Sequence, residues 1–568
     1  QGLCRTLAVA VSAITLLWTA HPASAQATNE DPRSVEVRRI IADIQASGPS
    51  ASTDGELAEP EGEPPDPHAP AVALRTVLSQ LEAVRSQGQI PPPLATSIKA
   101  ASVQVAKAYD EFAGDEPDLD SVVHHIRRAV HVLEEAGLGA GPSQELLRPP
   151  KLLLTASARW MAAQLIDRTV AGGVSERRVK AARAALARGD QLLAQGHLAQ
   201  AVGQFGNTFT VGDTLVFDIE LFEQNIKDAL DGQTVGYAYS IGLGGVLATQ
   251  GASGLARAAT DPPETDQSPT KDMNIASVSK TITAVAILKL LEDKGVAIGD
   301  SVAPFLPPEW DPHPSIDDLT FEDLLTQESG LNGNVSTGFG GQLFTALQAS
   351  VEQGIDPADK TYFYQNQNFS LLRVILPYLW DINPQTFGES LDVVTAAIYL
   401  YFVQTEVFAP MGFTAECKPT GSAPTLAYTF PFDGVENGFD NDGDWSLACG
   451  AGGWHLSANE LAAFLAHLRF NPAILSPATR DLMDDNFLGW LDPANGFSWG
   501  NGAFGLYHNH GGDYWGPGGS GGPGVRSCFM DFHIAVQASV LINSRSGNHP
   551  QQCQLLTDAF DNAWVDSG

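Results

Sequence analysis

Apolar positions recur at three- and four-residue steps from Ala71 to about Phe205. Leu74, Val77, Leu78 and Leu81, then Val122, Ile126, Val130 and Leu133, each fall on one face of a helix. Pro91–Pro93, Asp115–Pro117 and Pro149-Pro150 punctuate these runs, so residues 71–205 are expected to form an all-α domain. Within it Ser175–Arg188 and Ala199–Phe205 form a helix pair whose Ala201-Val202-Gly203-Gln204-Phe205 resembles a tetratricopeptide element, which gives the domain a candidate role in docking a protein partner. After Phe205 the pattern turns strand-like. Val235–Ile241 and Val246–Gln250, joined through Gly242–Gly245, predict a β-hairpin; no helix follows those glycines, so they do not form a phosphate loop. The next strand-like run is Ile534–Ile542, with helical and loop-rich sequence between. This layout predicts a sheet assembled from both ends of one domain.

Composition refines the picture at the N-terminus. Leu7–Ala20 is a short apolar run after Arg5, followed by Pro22-Ala23-Ser24-Ala25, the layout of a signal peptide cut after Ala25. Residues 26–70 are rich in Pro, Ser, Glu and Ala and read as a disordered linker with a short helix at Val35–Ile44. No further segment reads as a membrane span. The formal charge of −34 argues against nucleic acid or an anionic membrane as partner, since phosphates are repelled. Cys417, Cys449, Cys528 and Cys553 remain after the predicted cut. An even count in an exported chain suggests two disulfides. Three pairings are open; Cys417–Cys449 with Cys528–Cys553 closes the shortest loops.

The richest chemistry lies at Ser277-Val278-Ser279-Lys280, which opens a long apolar helix over Thr281–Lys294. A serine hydroxyl is a weak nucleophile until a base takes its proton, and a lysine three residues on lies one helical turn away on the same face. This is the S-x-x-K device of penicillin-recognising serine enzymes. Ser268-Pro269-Thr270-Lys271 fits the same letters, but it contains a proline and leads into no helix. Tyr364-Gln365-Asn366, just before a second helix, supplies a tyrosine able to act as acid/base and an amide that can donate and accept. Other groups carry less. Asp440-Asn441-Asp442-Gly443-Asp444 has alternate carboxylates but lacks the glycine and distal glutamate of a calcium loop, and reads as solvated. His508 with His510 reads as a polar turn, and His124-His125 as helix surface. No metal or other cofactor is expected.

Taken together, residues 208–566 resemble the β-lactamase-related serine hydrolases, a family of class C β-lactamases, D-alanyl-D-alanine carboxypeptidases, D-aminopeptidases and esterases. Asn274–Thr281 is similar to the nucleophile segment. Leu324-Leu325-Thr326-Gln327-Glu328-Ser329-Gly330-Leu331 is similar to the "LLTHTSGL" turn, with Gln327-Glu328 in place of His-Thr. Tyr364-Gln365-Asn366, Pro410-Met411-Gly412-Phe413 and Gly450–Leu461 stand at further landmarks. The resemblance implies an α+β fold: an antiparallel sheet flanked by helices, with an inserted mostly helical region, preceded here by the separate all-α domain. It also implies Ser277 as nucleophile, Lys280 as its base, Tyr364 as acid/base for the leaving group, and Asn366 as a lesser polar contact.

The third family motif, Lys-Thr-Gly or His-x-Gly on a strand bordering the cleft, has two candidates. Tyr514-Trp515-Gly516-Pro517-Gly518-Gly519-Ser520 puts Pro517 at the Lys/His position, with Gly519 and the Ser520 N–H at the oxyanion hole. His510-Gly511-Gly512 fits the letters better but falls in an apparent hairpin turn. The Pro517 alignment removes a donor for a substrate carboxylate and so favours simple esters over penicillins. The implied function is an exported, periplasmic or extracellular serine hydrolase acting on an ester, a D-amino-acid peptide or amide, or a β-lactam. The competing function is a catalytically weakened relative that binds a peptide or cell-wall ligand.

Overall fold

The structure is a computed structural model of the chain. It describes residues 31–46, 56–58, 69–86, 90–114, 117–136, 142–171, 174, 176–209, 215–331, 342–418, 423–439, 443–516, 522–532, 534–545 and 551–566. The predicted signal peptide, Asp440–Asp442 and Pro517–Ser520 lie outside these residues.

The helical periodicity of the N-terminal region becomes the helices Pro70–Ser86, Pro92–Ala113, Leu119–Ala136, Pro142–Ala171, Glu176–Ala194 and Leu198–Gly206. The stripe residues Leu74, Val77, Leu81, Val122, Ile126, Val130 and Leu133 are buried. In the last pair, Phe205 lies so close to Gly189 that a Cβ there would sit 2.2 Å from its ring. The stretch expected to be a disordered linker contains two ordered elements. One is the helix Pro32–Ala46, which extends the expected Val35–Ile44 at both ends; the other is the strand Glu56–Ala58. The helical region also shares a continuous apolar core with the C-terminal part. Ion pairs Arg75–Asp492 and Arg168–Asp561 and the bond from Leu506 N–H to Phe112 C=O reinforce that junction.

The main sheet runs in the order Glu56–Ala58, His508–Trp515, Gly524–Phe532, Val536–Ile542, Gly236–Leu243, Val246–Arg257, Thr265–Asp266, each neighbouring pair antiparallel. The hairpin through Gly244 and Gly245 is as expected. The C-terminal part differs: three strands, not one, close the sheet. All seven residues of Val536–Ile542 are buried, because the strand is central and covered on both faces. Helix Ala458–Phe470, started by a capping box between Ser457 and Glu460, lies against this strand, where the Ser539 hydroxyl donates to the Ala458 carbonyl at 2.7 Å.

Disulfides join Cys417 to Cys449 and Cys528 to Cys553, the pairing that loop length favours. Thiol titration of the denatured, unreduced chain lacking residues 1–25 is therefore expected to find none. Opening the Cys528–Cys553 bridge, between cysteines 25 residues apart, should cost roughly 2–4 kcal/mol of stability. Four titratable thiols would contradict the pairing. One segment overlooked as a membrane candidate is Leu391–Met411, long and apolar enough by composition to span a bilayer. Its buried residues, Val394, Ile398, Tyr399, Phe402 and Val407 among them, belong to the core, which accounts for its apolar character without a membrane.

Candidate active site

Ser277 sits in a tight 3-10 turn, Ala276–Val278, that runs directly into the helix Ser279–Lys294. Ala276 adopts φ +48°, an uncommon value for a side-chain-bearing residue, and its N–H is held by Asn274 Oδ1 at 2.9 Å. The turn is thus fixed from its own N-terminal side. Ser277 and Lys280 are both 0 % exposed. Lys280 Nζ donates to Ser277 Oγ at 3.0 Å, to Asn366 Oδ1 at 2.7 Å and to the Ala451 carbonyl at 2.9 Å. It also lies 4.9 Å from the centre of the Tyr364 ring. Four of the expected residues, Ser277, Lys280, Tyr364 and Asn366, therefore meet at one point. The Ala451 carbonyl is an addition that only the backbone path reveals.

The Tyr364 segment is held by the turn that departs from the family letters. Gln327, at φ +66°, accepts the Phe363 N–H through its carbonyl at 2.9 Å. Its side-chain Oε1 accepts from Gln365 N–H at 3.2 Å and Asn368 Nδ2 at 2.6 Å. Ser329 Oγ donates to Asn368 Oδ1 at 2.8 Å. Gln327 thus supplies the acceptor that fixes the tyrosine loop, so its substitution for histidine leaves the scaffold intact.

The third wall corrects the sequence reading. His510, Gly511 and Gly512 lie inside the strand His508–Trp515, not in a hairpin turn. A Cβ on Gly512 would fall 2.3 Å from the Ile275 carbonyl and 2.9 Å from Ser277 N, so only glycine lets this strand pass so close to the nucleophile turn. His510 packs beside Tyr364, with ring centroids 6.5 Å apart. Its Nδ1 lies 2.9 Å from the Gly489 carbonyl, which makes Nδ1 the protonated nitrogen; Nε2 is buried without a hydrogen-bond partner among the described residues. The other proposed motif begins only as the strand ends at Trp515, and Gly519 and Ser520 are not among the described residues.

Burial, helped by the nearby charge of Lys280, lowers the His510 pKa from 6.5 to about 3. The imidazole is therefore neutral across ordinary pH. In the unfolded chain it protonates below about 6.5, so the unfolded state binds the extra proton first as pH falls. Stability is lost on acidification between about 6.5 and 3, by about 1.4 kcal/mol per pH unit from this group. Urea unfolding at pH 7, 5 and 4 should show a shallower loss in His510→Gln than in the native chain. Equal slopes would mean that His510 is not buried as a neutral base.

The remaining candidates have structural partners. His508 lies 3.3 Å from the Asp484 carbonyl and packs on Phe487 and Trp490. His125 meets Gln104 at 2.9 Å. Tyr507-His508-Asn509 repeats the letters of Tyr364-Gln365-Asn366, but the Tyr507 hydroxyl donates to Asp561 at 2.6 Å. Ser268 lies on an exposed loop, 3.2 Å from Thr270.

The β-lactamase family model matches residues 222–555, more than half of the chain. The chain belongs to the β-lactamase family. Members of this family are serine hydrolases that act through an acyl-enzyme. Among curated proteins, the putative penicillin-binding protein PbpX of Bacillus subtilis (strain 168) is 27% identical over 199 residues, covering 34% of this chain and 46% of that relative. The chain thus spans less than half the length of this relative. Among solved structures, FmtA from Staphylococcus aureus has 15% identity and a TM-score of 0.44, covering 61% of this chain and 87% of that one. D-amino acid amidase from Ochrobactrum anthropi SV3 has 19% identity and a TM-score of 0.42, covering 61% and 96%.

Proposed function

We propose that this β-lactamase family member is an exported serine hydrolase whose nucleophile is Ser277, acting on an ester, a D-amino-acid peptide or amide, or a β-lactam. The observation that carries the reading is the 3.0 Å contact between Ser277 Oγ and Lys280 Nζ, in a cluster closed by Asn366, Ala451, Tyr364 and His510. In acylation Lys280 first gives up one of the three protons it donates at rest, and Ser277 Oγ then attacks the acyl carbon as its own proton passes to that amine. The carbonyl oxygen becomes an oxyanion held by backbone N–H groups of Ser277 and of Asp513, the residue just after His510-Gly511-Gly512. As the bond to the leaving group breaks, the Tyr364 hydroxyl gives that group its proton and regains one from Lys280. Water then enters by the same route in reverse, releasing the acid and restoring Ser277.

Taking His510-Gly511-Gly512 as the third motif leaves the expected specificity in place. With His510 at the motif's first position the site still offers no donor to a substrate carboxylate, because the neutral ring keeps its one proton on Nδ1, turned to the Gly489 carbonyl, so the preference for simple esters stands. The two disulfides agree with export to an oxidising compartment. Labelling of purified protein with a fluorophosphonate or a fluorescent penicillin tests the function. Stoichiometric covalent capture is expected. Reversible binding without capture would favour a catalytically weakened, ligand-binding relative.

A further inference from the structure

The strand His508–Trp515 gives one edge to Gly524–Phe532 and has a second, outer edge, and the nucleophile turn packs against the strand at Gly512. Beyond Gly512 that outer edge is occupied by the chain's own segment Glu56–Ala58, with Glu56 opposite Trp515, Leu57 opposite Tyr514 and Ala58 opposite Asp513. The direction of the backbone groups follows from the alternation of a strand. Gly516 N–H donates to the Pro523 carbonyl at 2.9 Å, so Tyr514 and Gly512 face Gly524–Phe532. Trp515, Asp513 and Asn509 must then point outward. The Asn509 carbonyl does so, accepting from Leu491 N–H at 2.9 Å on that side. Asp513–Ala58 and Trp515–Glu56 are therefore the bonded pairs of the added strand. The Ala58 carbonyl lies opposite the Asp513 N–H, the second oxyanion donor of the proposed site.

We propose that Glu56–Ala58 is a tethered substrate mimic, which docks on the active-site edge by strand addition and competes with the acyl substrate for the Asp513 N–H. The inference rests on the reading of Ser277 and Asp513 as the acylation site. Two further features support it. The elements on either side of the segment are anchored on the catalytic body: Gln45, in the helix before it, donates to Glu389 at 2.8 Å, and Arg75, in the helix after it, pairs with Asp492. Such anchoring holds the strand at a high effective concentration near the edge. The Ser277 side chain is also fully buried, so substrate entry requires some covering segment to move. A strand of three residues, with few bonds to give up, can yield to a longer extended ligand.

The test compares the full chain with Glu56→Pro and Ala58→Pro, each of which removes one N–H from the added strand, and with Ala58→Gly, which keeps it. Hydrogen exchange reads the Asp513 and Trp515 amides, and a fluorophosphonate reads the acylation rate. Both amides should exchange faster in the proline variants, and labelling should accelerate roughly two- to tenfold, about the worth of one net hydrogen bond. Ala58→Gly should stay near the native values. Unchanged exchange would show that the segment does not dock there, and faster exchange with unchanged labelling would show that it does not guard the site; either result overturns the proposal. If no protein is labelled at all, the acylation reading itself has failed and competition falls with it, while the exchange data still decide whether the strand docks.

Discussion

Ser277→Ala is expected to abolish covalent labelling and hydrolysis while leaving the protein folded. The substitution removes a single oxygen from the cluster. Lys280 Nζ keeps Asn366 Oδ1 and the Ala451 carbonyl as acceptors, so the cost to stability should stay near that of one hydrogen bond, about 1 kcal/mol. Ser268, the other serine of an S-x-x-K sequence, lies on an exposed loop with Thr270 as its neighbour, and Ser268→Ala should leave labelling and turnover intact. Thermal unfolding and labelling of the two variants side by side check both statements. Persistent capture in Ser277→Ala would move the nucleophile elsewhere.

The second large effect is expected at Lys280. Its side chain reaches the nucleophile directly, and losing a positioned base typically slows the step by about 10²–10⁴-fold. Lys280→Ala should therefore acylate slowly by that factor in single-turnover measurements. The variant also leaves Asn366 Oδ1 and the Ala451 carbonyl buried without their donor, an added cost of roughly 1–3 kcal/mol. Rates must accordingly be read below its own unfolding temperature. Near-native acylation in a folded Lys280→Ala protein would assign the proton to another group, with Tyr364 the nearest alternative.

The parts of this site that were legible in the sequence are those governed by local spacing. Three residues from Ser277 to Lys280 is one turn of helix, and the structure brings these side chains together across that turn. The hairpin at Gly242–Gly245 and the buried stripe of Leu74, Val77 and Leu81 followed from period alone. The cleft strand was misread for a physical reason. Its residues include Asn509, Gly511 and Gly512, which are poor strand formers and usual turn formers. Gly512 is there because the Ile275 carbonyl and Ser277 N leave no room for a Cβ, a constraint set by a segment more than 200 positions earlier in the chain. The Ala451 carbonyl was invisible for a similar reason, since any residue can present a backbone oxygen. Glu56–Ala58 was read as linker because a three-residue strand on a sheet edge has no pattern of its own.

The central claim is that one serine, Ser277, is the acylated residue, and peptide mapping of the fluorophosphonate-labelled native protein tests it most directly. The expected spectrum shows one adduct per chain, on the peptide that contains Ser277-Val278-Ser279-Lys280, with fragment ions that place it on Ser277. An adduct on Ser268, on Ser279 or on any other residue, with the Ser277 site unmodified, would contradict the account.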